Sequence, residues 1–398
     1  MIIQSMLDDD LYKYTQLQAV LHQFPSTMVE YRFKCRTPNR DFRAYVTDII
    51  KEVNLMCNSL EFKKDELEFL GDVCFMKKDT LEFLKLFKLD YKFINIQTND
   101  KGELFITIKG PWVHTILFEI KILTIVSEIY SRSMSVDFDG FEKRTQSKID
   151  TVLNFYKETG IPLPIAEFGG RRRHSVEAHE RALKMFIQQL LFDKCNTGII
   201  GTSNVMFAKK YGLKVIGTMA HEWLQAHQAL YRVADSQTMA LENWAKEYRG
   251  ALGIALSDVI GLKYFLHDFD MYFAKLFDGT RQDSGNPFEY GDALINHYKS
   301  MNIDPMTKTI VFSDGLNIPK ATELAKYFNG KIKFSFGIGT DLTNDFGFKP
   351  LQNVIKMVSC NGNPVAKLSD SPGKTMCPDG GYVRYLTDVF NKRIQNHG

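Results

Sequence analysis

The segment GIIGTSNVMFAKKYGLKVIGTMAH at residues 198–221 shows the pattern that governs most of the chain. Two short apolar runs, 198–201 and 214–217, flank a helical stretch at 203–211, and small or polar residues follow each run. A strand, a turn and a helix that lead to another strand are typical of a βα unit in a parallel sheet. The segment therefore predicts parallel strands whose ends carry short polar loops.

The same rhythm recurs through the middle of the chain, where short apolar runs alternate with polar or Gly-rich turns and with helical stretches. The seven runs lie at residues 164–168, 198–201, 214–217, 252–256, 277–281, 309–312 and 333–336. Seven or eight such units can close into an irregular, TIM-like (β/α) barrel, and this α/β barrel of about seven strands is the fold that we predict. An open, doubly wound parallel sheet is the alternative.

The first and last parts of the chain leave this rhythm. Three aspartates at residues 8–10 can cap a helix over residues 11–24, which Pro25 would end. Residues 29–36 then alternate between apolar and charged side chains, which predicts a half-exposed strand with Arg36 on its solvent face. Near the end of the chain, Asn361-Gly362 between two apolar runs is a hairpin signal. We predict an N-terminal α/β domain over residues 1–140, joined by residues 350–398, and a βα barrel over residues 141–349 that carries the active site.

The composition excludes several classes of protein. Of 398 residues, 44% are hydrophobic and 24% charged, which disfavours disorder. Lys and Arg number 50 against 47 Asp and Glu, a formal charge of +3 that gives no general attraction for nucleic acid. No apolar stretch approaches the roughly 20 residues of a transmembrane helix, and there is no signal-peptide pattern. The six cysteines form no C-x-x-C. We therefore expect a cytoplasmic protein with reduced thiols and neither nucleic acid nor membrane as partner.

Polar clusters follow the predicted strands. They are EFGGRRR at 167–173, GTSN at 201–204, GTMAH at 217–221, SD at 257–258, RQDSG at 281–285, SDG at 313–315 and GIGT at 337–340. Small residues let backbone N–H groups approach a ligand, and the helix N-termini that follow favour anions. Arg suits phosphate or carboxylate, and Asp suits sugar hydroxyls or a divalent metal. The clusters together predict a phosphorylated, hydroxylated substrate.

Each cluster also has an ordinary interpretation. The arginines at 171–173 could be a solvated surface run, His221 could cap or pack its helix, and Asp283 could be a turn residue. The dinucleotide fingerprint lacks its third Gly after Gly339, and Gln225 stands where an H-E-x-x-H zinc motif needs its second His. The polar clusters share one edge of the predicted sheet, and this common position favours a functional role over the ordinary interpretations.

These motifs together closely resemble the bacterial nicotinate phosphoribosyltransferase family. The resemblance covers nearly the whole chain in the family's order, and its most specific parts are DDDLYKYTQLQAVLHQF at 8–24, the run from GTSN to GTMAHEW at 201–223, and RQDSG at 281–285. It implies a type II phosphoribosyltransferase, usually a homodimer with active sites at the interface. The implied reaction joins nicotinate to 5-phosphoribosyl-1-pyrophosphate, coupled to ATP hydrolysis through a phosphohistidine, with Mg²⁺ as cofactor. It is an entry step of NAD salvage.

The resemblance also assigns roles to individual residues. It makes His221 the phosphohistidine, and it makes Arg281 and Asp283 catalytic. It places Tyr12, Thr218 and Arg281 at nicotinate, with Arg281 on the carboxylate and Tyr12 reaching in from the neighbouring subunit. The residues it implies for phosphoribosyl pyrophosphate are Arg171, Arg172, Ser313, Asp314, Gly315, Gly337, Gly339 and Thr340. Asp283 and Asp314 are candidates for ribose hydroxyls or magnesium. The family commonly has Thr where this chain has Gly170, which leaves only a backbone role there.

Two other functions stay open at this point. The same fold could act on another base, as a nicotinamide or quinolinate phosphoribosyltransferase. Quinolinate would need further cations for its second carboxylate, and its enzyme uses no ATP. The chain could alternatively be an inactive barrel that serves as a binding protein, although His221 and Arg281 are both in place.

Overall fold

The structure is a computed structural model that describes residues 1–73, 75–134, 136–217, 219–371 and 375–395. The strands are β1 (Met28–Cys35), β2 (Ile94–Thr98), β3 (Leu104–Pro111), β4 (Pro164–Glu167), β5 (Gly198–Thr202), β6 (Ile254–Leu256), β7 (Gly279–Gln282), β8 (Thr309–Phe312), β9 (Lys333–Ile338), β10 (Asn353–Cys360) and β11 (Asn363–Pro364). The helices are α1 (Leu11–Gln23), α2 (Val46–Ser59), α3 (Lys64–Gly71), α4 (Lys78–Leu86), α5 (Trp112–Thr115), α6 (Glu119–Ser131), α7 (Phe138–Thr159), α8 (Val176–Leu190), α9 (Phe192–Cys195), α10 (Val205–Tyr211), α11 (His221–Leu230), α12 (Ser236–Tyr248), α13 (Leu262–Asp268), α14 (Met271–Leu276), α15 (Pro287–Ser300), α16 (Ile318–Phe328), α17 (Thr340–Thr343) and α18 (Gly380–Gln395).

The middle of the chain forms a parallel sheet in the order β5-β4-β9-β8-β7-β6. Apart from β5 and β6, strands that follow one another in sequence are neighbours, and β4 also pairs with the last strand, β9. This cyclic order is the connectivity of a βα barrel. It brings the carboxyl ends of all six strands, and the polar clusters that follow them, to the same edge of the sheet.

The predicted closed barrel is nevertheless wrong, because the sheet is interrupted between β5 and β6. The run at 214–217 was expected to be a seventh strand, but among the described residues it makes only one bridge, from Val215 to Thr202. The start of α1 lies against this place: Leu11 N donates to Ser203 O at 2.9 Å, and a Cβ on Gly217 would lie 3.1 Å from Tyr12 N. A helix therefore occupies the position where a closing strand would pair.

The N-terminal part forms a separate antiparallel sheet in the order β11-β10-β1-β3-β2. The predicted alternation in β1 is confirmed, since Val29, Tyr31 and Phe33 are buried between more exposed neighbours. Strand β10, from near the end of the chain, pairs antiparallel with β1. The tail thus contributes a strand beside the N-terminal strands, as expected, whereas the residue limits proposed for the two domains remain a prediction.

The aspartates at 8–10 do not cap α1 with their side chains. All three are buried and each has a tertiary partner. Asp8 receives two hydrogen bonds of 2.7 Å from Arg173, Asp9 lies 2.5 Å from Lys121 Nζ, and Asp10 accepts from Ser203 Oγ at 2.6 Å. A buried carboxylate is tolerated when it is paired in this way. Arg173 is therefore an internal ion-pair partner rather than part of a solvated run.

Three tryptophans join the two parts of the molecule. Trp112, Trp223 and Trp244 are at most 1% exposed. The ring centroids of Trp112 and Trp223 are 6.1 Å apart, and those of Trp223 and Trp244 are 5.7 Å apart. Aromatic rings at these separations bury large apolar areas in favourable geometry. Because Trp223 is the third residue of α11, this packing fixes the helix that begins at His221.

No helix in the described ranges combines the length and the apolar character that crossing a lipid bilayer would require.

Candidate active site

Two adjoining cavities open at the carboxyl edge of the parallel sheet. We call them the histidine cavity, of about 200 Å³, which contains His221, and the glycine cavity, of about 390 Å³, which contains Gly337 and Gly339. The residues that line both are Tyr12, Arg171, Arg172, Arg281, Asp283, Ser313, Gly315 and Gln352. A ligand can therefore extend from one cavity into the other.

Nearly all the residues singled out from the sequence line these cavities. Those in the histidine cavity are Tyr12, Arg171, Arg172, His221, Arg281, Asp283, Ser313, Asp314 and Gly315. The glycine cavity adds Gly337, Gly339 and Thr340. Thr218 lies outside the described residues. Strand order predicts that these side chains lie close together, and in the structure they line the same two cavities.

His221 is held by contacts on both sides of its position in the chain. Ala220 N donates to Gln16 Oε1 at 3.1 Å, and Trp223 Nε1 donates to Ala240 O at 2.9 Å. Buried polar contacts of this kind fix a backbone because breaking them would leave unsatisfied groups. The imidazole therefore starts α11 at a defined place beside the sheet edge.

Three charged groups surround Nε2 of His221. The atom lies 2.9 Å from Asp258 Oδ1, 3.2 Å from Asp283 Oδ2 and 2.7 Å from Lys367 Nζ. Lys367 Nζ also lies 2.5 Å from Asp258 Oδ2. Nε2 can donate to a carboxylate or accept from the ammonium, and in a neutral ring these alternatives correspond to the two tautomers.

The electrostatics keep this imidazole neutral. Burial and the charge of Lys367 lower the pKa of His221 to about 4, although Asp258 acts in the opposite direction. Burial alone would raise the pKa of Asp258, but its interactions with His221 and Lys367 hold that pKa well below its usual range. At neutral pH the cluster therefore consists of a neutral imidazole, two carboxylates and one ammonium.

Lys367 reaches the site because α11 is tied to the C-terminal tail. Gln228 Nε2 donates to Ala366 O at 2.8 Å, and Ala366 N donates back to Gln228 Oε1 at 2.9 Å. Gln225 Nε2 donates to Met357 O at 3.0 Å on β10. These hydrogen bonds hold Ala366, and with it the adjacent Lys367, against α11.

Arg281 is placed between two other predicted residues. Its Nε donates to Ser313 Oγ at 2.9 Å, and its Nη2 lies 3.2 Å from Asp283 Oδ1. Ser313 Oγ is also 3.0 Å from Asp283 Oδ1. Burial would lower the pKa of Arg281, but the Asp283 carboxylate raises it. The guanidinium is thus a fixed positive charge with more N–H donors than these two contacts use.

The wall of the histidine cavity carries additional cations. Arg36 and Lys356 lie there with Arg171 and Arg172. Burial and the charges of Arg171 and Arg36 lower the pKa of Arg172 to about 9, and burial and Lys367 lower the pKa of Lys356 to about 7. Neighbouring positive charges destabilise one another's protonated forms, and an anion that binds among them removes this repulsion. The wall is therefore suited to phosphate groups.

The glycine cavity has the backbone shape of an anion site. Gly315 has φ +59°, with no heavy atom within 4 Å of where a Cβ would stand, and a Cβ on Gly339 would lie 2.7 Å from Phe168 O. The open space at Gly315 lets a ligand approach the main chain, whereas Gly339 is required because its backbone packs against that of Phe168. On the far side of the cavity, Asp345 is neutralised by Lys148, whose Nζ lies 2.6 Å from Asp345 Oδ2.

The group His221, Asp258 and Asp283 offers ligand atoms within 4.8 Å of one another. This is the one such group found among the described residues that could hold a metal, and it includes Asp283 but not the other candidate, Asp314. The Lys367 ammonium already lies between the imidazole and the Asp258 carboxylate. A divalent cation would have to displace it, so the cluster as arranged does not fit a protein-held metal.

Four residues of the site were not proposed as site residues from the sequence. Asp258 ends the SD cluster, Arg36 ends an alternating strand and was assigned to its solvent face, and Lys356 and Lys367 belong to the C-terminal tail. Tyr12 was expected to enter a neighbouring subunit, but it lines the cavities of its own chain.

Comparison with known proteins is consistent with this geometry. The profile of the nicotinate phosphoribosyltransferase family matches residues 163–394, and the profile of that family's N-terminal domain matches residues 7–127. The chain is 52% identical over 394 residues to nicotinate phosphoribosyltransferase of Xanthomonas euvesicatoria pv. vesicatoria, covering 98% of each chain. The corresponding protein of Xylella fastidiosa is also 52% identical, with 98% of each chain covered.

Solved structures agree with the sequence relatives. A crystal structure of nicotinate phosphoribosyltransferase from Vibrio cholerae superposes with a TM-score of 0.93 at 38% identity, covering 98% of this chain and 94% of that one. A putative nicotinate phosphoribosyltransferase from Saccharomyces cerevisiae gives a TM-score of 0.89 at 30% identity, with 98% of each chain covered. The chain belongs to the nicotinate phosphoribosyltransferase family.

Proposed function

We propose that this chain joins nicotinate to 5-phosphoribosyl-1-pyrophosphate, forming nicotinate mononucleotide and pyrophosphate, and that ATP hydrolysis drives the reaction through phosphorylation of His221. The observation that carries the proposal is the neutral imidazole of His221 at the end of a cavity walled by Arg171, Arg172 and Lys356 and continuous with a glycine-lined cavity. The family to which the chain belongs supports the choice of substrates.

His221 would act as a nucleophile toward the γ-phosphate of ATP. Because its pKa is about 4, the ring carries a lone pair at neutral pH. In this step the Nε2–P bond forms, the bond from the γ-phosphorus to the bridging oxygen breaks, and ADP leaves. The new phosphoryl group would lie beside Lys367, whose ammonium now contacts Nε2 at 2.7 Å, and would be stabilised by that charge.

Arg281 would select nicotinate by pairing with its carboxylate. The guanidinium is held in one orientation by Ser313 and Asp283, which favours a bidentate contact. An amide in place of the carboxylate would lose the charge, so nicotinamide should be a poor substrate. Tyr12 lines the same cavity and would pack on the pyridine ring. Thr218 is proposed as a further contact to nicotinate from the family resemblance alone.

The phosphoribosyl substrate would extend across both cavities. Its 5-phosphate suits the backbone around Ser313, Gly315, Gly337 and Thr340, and its pyrophosphate suits Arg171 and Arg172. Departure of pyrophosphate leaves positive charge on the ribose carbon, and the cations stabilise the leaving group. Attack by the nicotinate nitrogen at that carbon then depends mainly on how the two substrates are positioned.

The remaining features of the proposal concern partners. Magnesium is proposed as a companion of the substrate's diphosphate, which is a common way for Mg²⁺ to be held. No protein ligand is assigned to it, and Asp283 and Asp314 stay candidates for ribose hydroxyls. A homodimer acting in the cytoplasm is proposed from the family resemblance.

Product formation with three bases tests the function. Nicotinate, nicotinamide and quinolinate are each incubated with phosphoribosyl pyrophosphate and Mg²⁺, with and without ATP, and mononucleotides are separated by chromatography. We expect turnover of nicotinate alone, stimulated by ATP. Comparable use of nicotinamide would contradict the role of Arg281, and an absence of product with every base would favour a binding protein.

A further inference from the structure

Side chains from distant parts of the sequence hold the loop at residues 169–172, which carries Arg171 and Arg172. We call it the arginine loop. Its four consecutive carbonyl oxygens each accept a hydrogen bond from a side chain. The bonds are Thr343 Oγ1 to Gly169 O (3.0 Å), Thr124 Oγ1 to Gly170 O (3.2 Å), Ser127 Oγ to Arg171 O (3.4 Å) and Asn344 Nδ2 to Arg172 O (2.8 Å). Loop carbonyls commonly bond to water, so a complete set of side-chain donors indicates a backbone held in one conformation.

The donors themselves are buried in the protein interior. Thr124, Ser127, Thr343 and Asn344 are all at most 2% exposed. A hydroxyl or amide without water must keep its protein partner, since an unsatisfied buried donor destabilises the fold. The packing is tight as well, because a Cβ on Gly169 would collide with the side chain of Thr343. The arginine loop is thus fixed by specific groups rather than by general burial.

Two of these donors connect the arginine loop directly to the glycine cavity. Thr343 is the last residue of α17 and Asn344 follows it, while Thr340 at the start of the same short helix lines the glycine cavity. The two anion sites are therefore joined by less than two turns of backbone. His174 N also donates to Thr343 O at 3.2 Å, which extends the connection past the arginines.

We propose that Thr343 and Asn344 are positioning residues that fix the separation between the glycine cavity and the arginine loop, and thereby select a ligand with phosphate groups at both ends. The inference rests on the proposed function, in which 5-phosphoribosyl-1-pyrophosphate is that ligand. A ligand that occupies both sites gains from their fixed separation, because no binding energy is spent on ordering the loop. A ligand that does not reach the arginine loop gains nothing from it.

The inference is tested by comparing the binding of phosphoribosyl pyrophosphate with that of ribose 5-phosphate, a fragment that lacks the pyrophosphate. The variant is Thr343→Val, because Thr343 lines neither cavity whereas Asn344 lines the glycine cavity itself, and titration calorimetry measures Kd for phosphoribosyl pyrophosphate and for ribose 5-phosphate. We expect Kd for phosphoribosyl pyrophosphate to rise about fivefold, the effect of losing one ordinary hydrogen bond. Kd for ribose 5-phosphate should stay within about twofold. In turnover, KM for phosphoribosyl pyrophosphate should rise while kcat changes little.

The control is Thr145→Val, which also removes a buried hydroxyl. Thr145 Oγ1 donates only to Phe141 O, at 3.0 Å within its own helix, so no affinity should change. Thr343→Ser keeps the donor and should restore the wild-type Kd. Equal weakening of both ligands, or a Kd like that of the control, would overturn the inference. If Thr343→Val does not fold, Thr343→Ala against Thr343→Ser makes the same comparison. Because binding is measured without nicotinate, failure of the proposed reaction would be seen separately.

Discussion

Nζ of Lys367 lies 2.7 Å from Nε2 of His221, although the two residues are 146 positions apart in the chain. The same ammonium ion-pairs with Asp258 at 2.5 Å. A positive charge so close to the imidazole opposes its protonation, whereas the carboxylates of Asp258 and Asp283 favour it. Lys367 therefore helps to keep His221 in the neutral form that a nucleophile requires.

Removal of the Lys367 charge should raise the pKa of His221. In Lys367→Met the carboxylates at 2.9 and 3.2 Å remain, so the imidazole should titrate well above about 4. NMR titration of the imidazole protons, assigned with His221→Gln, measures the shift. An unchanged titration near pH 4 would mean that burial alone sets the pKa.

Replacement of Arg281 should remove the preference for the acid over the amide. Arg281→Gln loses the charge proposed to bind the nicotinate carboxylate, and kcat/KM for nicotinate should fall about 10- to 100-fold, since a hydrogen bond to a charged group contributes about 1.5–3 kcal/mol. The value for nicotinamide should change much less. The control is Arg181→Gln on the exposed side of α8, which should have no effect. A parallel fall for both bases would contradict the assigned contact.

Buried neutral histidines should make the fold acid-sensitive. Burial lowers the pKa of both His174 and His227 to about 4, against about 6.5 in an unfolded chain. Between these values the unfolded chain binds more protons, so the free energy of unfolding is highest above about pH 6.5 and falls toward pH 4, by at most about 1.4 kcal/mol per pH unit for each group. Urea unfolding at pH 7 and pH 5 measures this slope.

His174→Phe should reduce that slope. Neither ring nitrogen of His174 has a hydrogen-bond partner among the described residues, and the ring stacks on Phe346 with centroids 3.9 Å apart. A phenyl ring fits this aromatic cluster without a group that protonates. Greater acid sensitivity in the variant than in the wild type would contradict the assignment.

Loss of one partner of the buried pair between Arg173 and Asp8 should destabilise the fold. Arg173→Met leaves the buried Asp8 carboxylate without its cation and with only the hydrogen bond from Asn204 Nδ2 among the described residues, at a cost of about 3–5 kcal/mol in the free energy of unfolding. Adding Asp8→Asn should recover part of this loss, because no bare charge then remains. If the second change weakened the protein further, the charge would not be the cause.

Much of this architecture could be predicted from local patterns. The alternation in β1 predicted which side chains are buried, and six of the seven apolar runs form parallel strands whose ends carry the site. The segment at 214–217 has the same pattern as a strand, yet it makes only one bridge because α1 lies against it. Packing of a distant helix is not visible in a local pattern.

The positions of the charged groups around His221 could also be predicted only in part from the sequence. Asp258 and Asp283 follow strands of one sheet, so their proximity could be expected from strand order. Lys367 lies in a tail outside that rhythm, and tertiary hydrogen bonds, such as the amide pair between Gln228 and Ala366, place it beside the imidazole. A lysine in that tail carries no local sign of such a contact.

The most direct test of the account follows the phosphoryl group from ATP labelled at the γ-phosphate. The enzyme is incubated with the labelled ATP, the modified residue is identified by tandem mass spectrometry, and nicotinate and phosphoribosyl pyrophosphate are then added. The account predicts an acid-labile label on His221 that is released as phosphate while nicotinate mononucleotide forms, with neither label nor ATP stimulation in His221→Ala. A label on another residue, or full ATP stimulation in the variant, would contradict it.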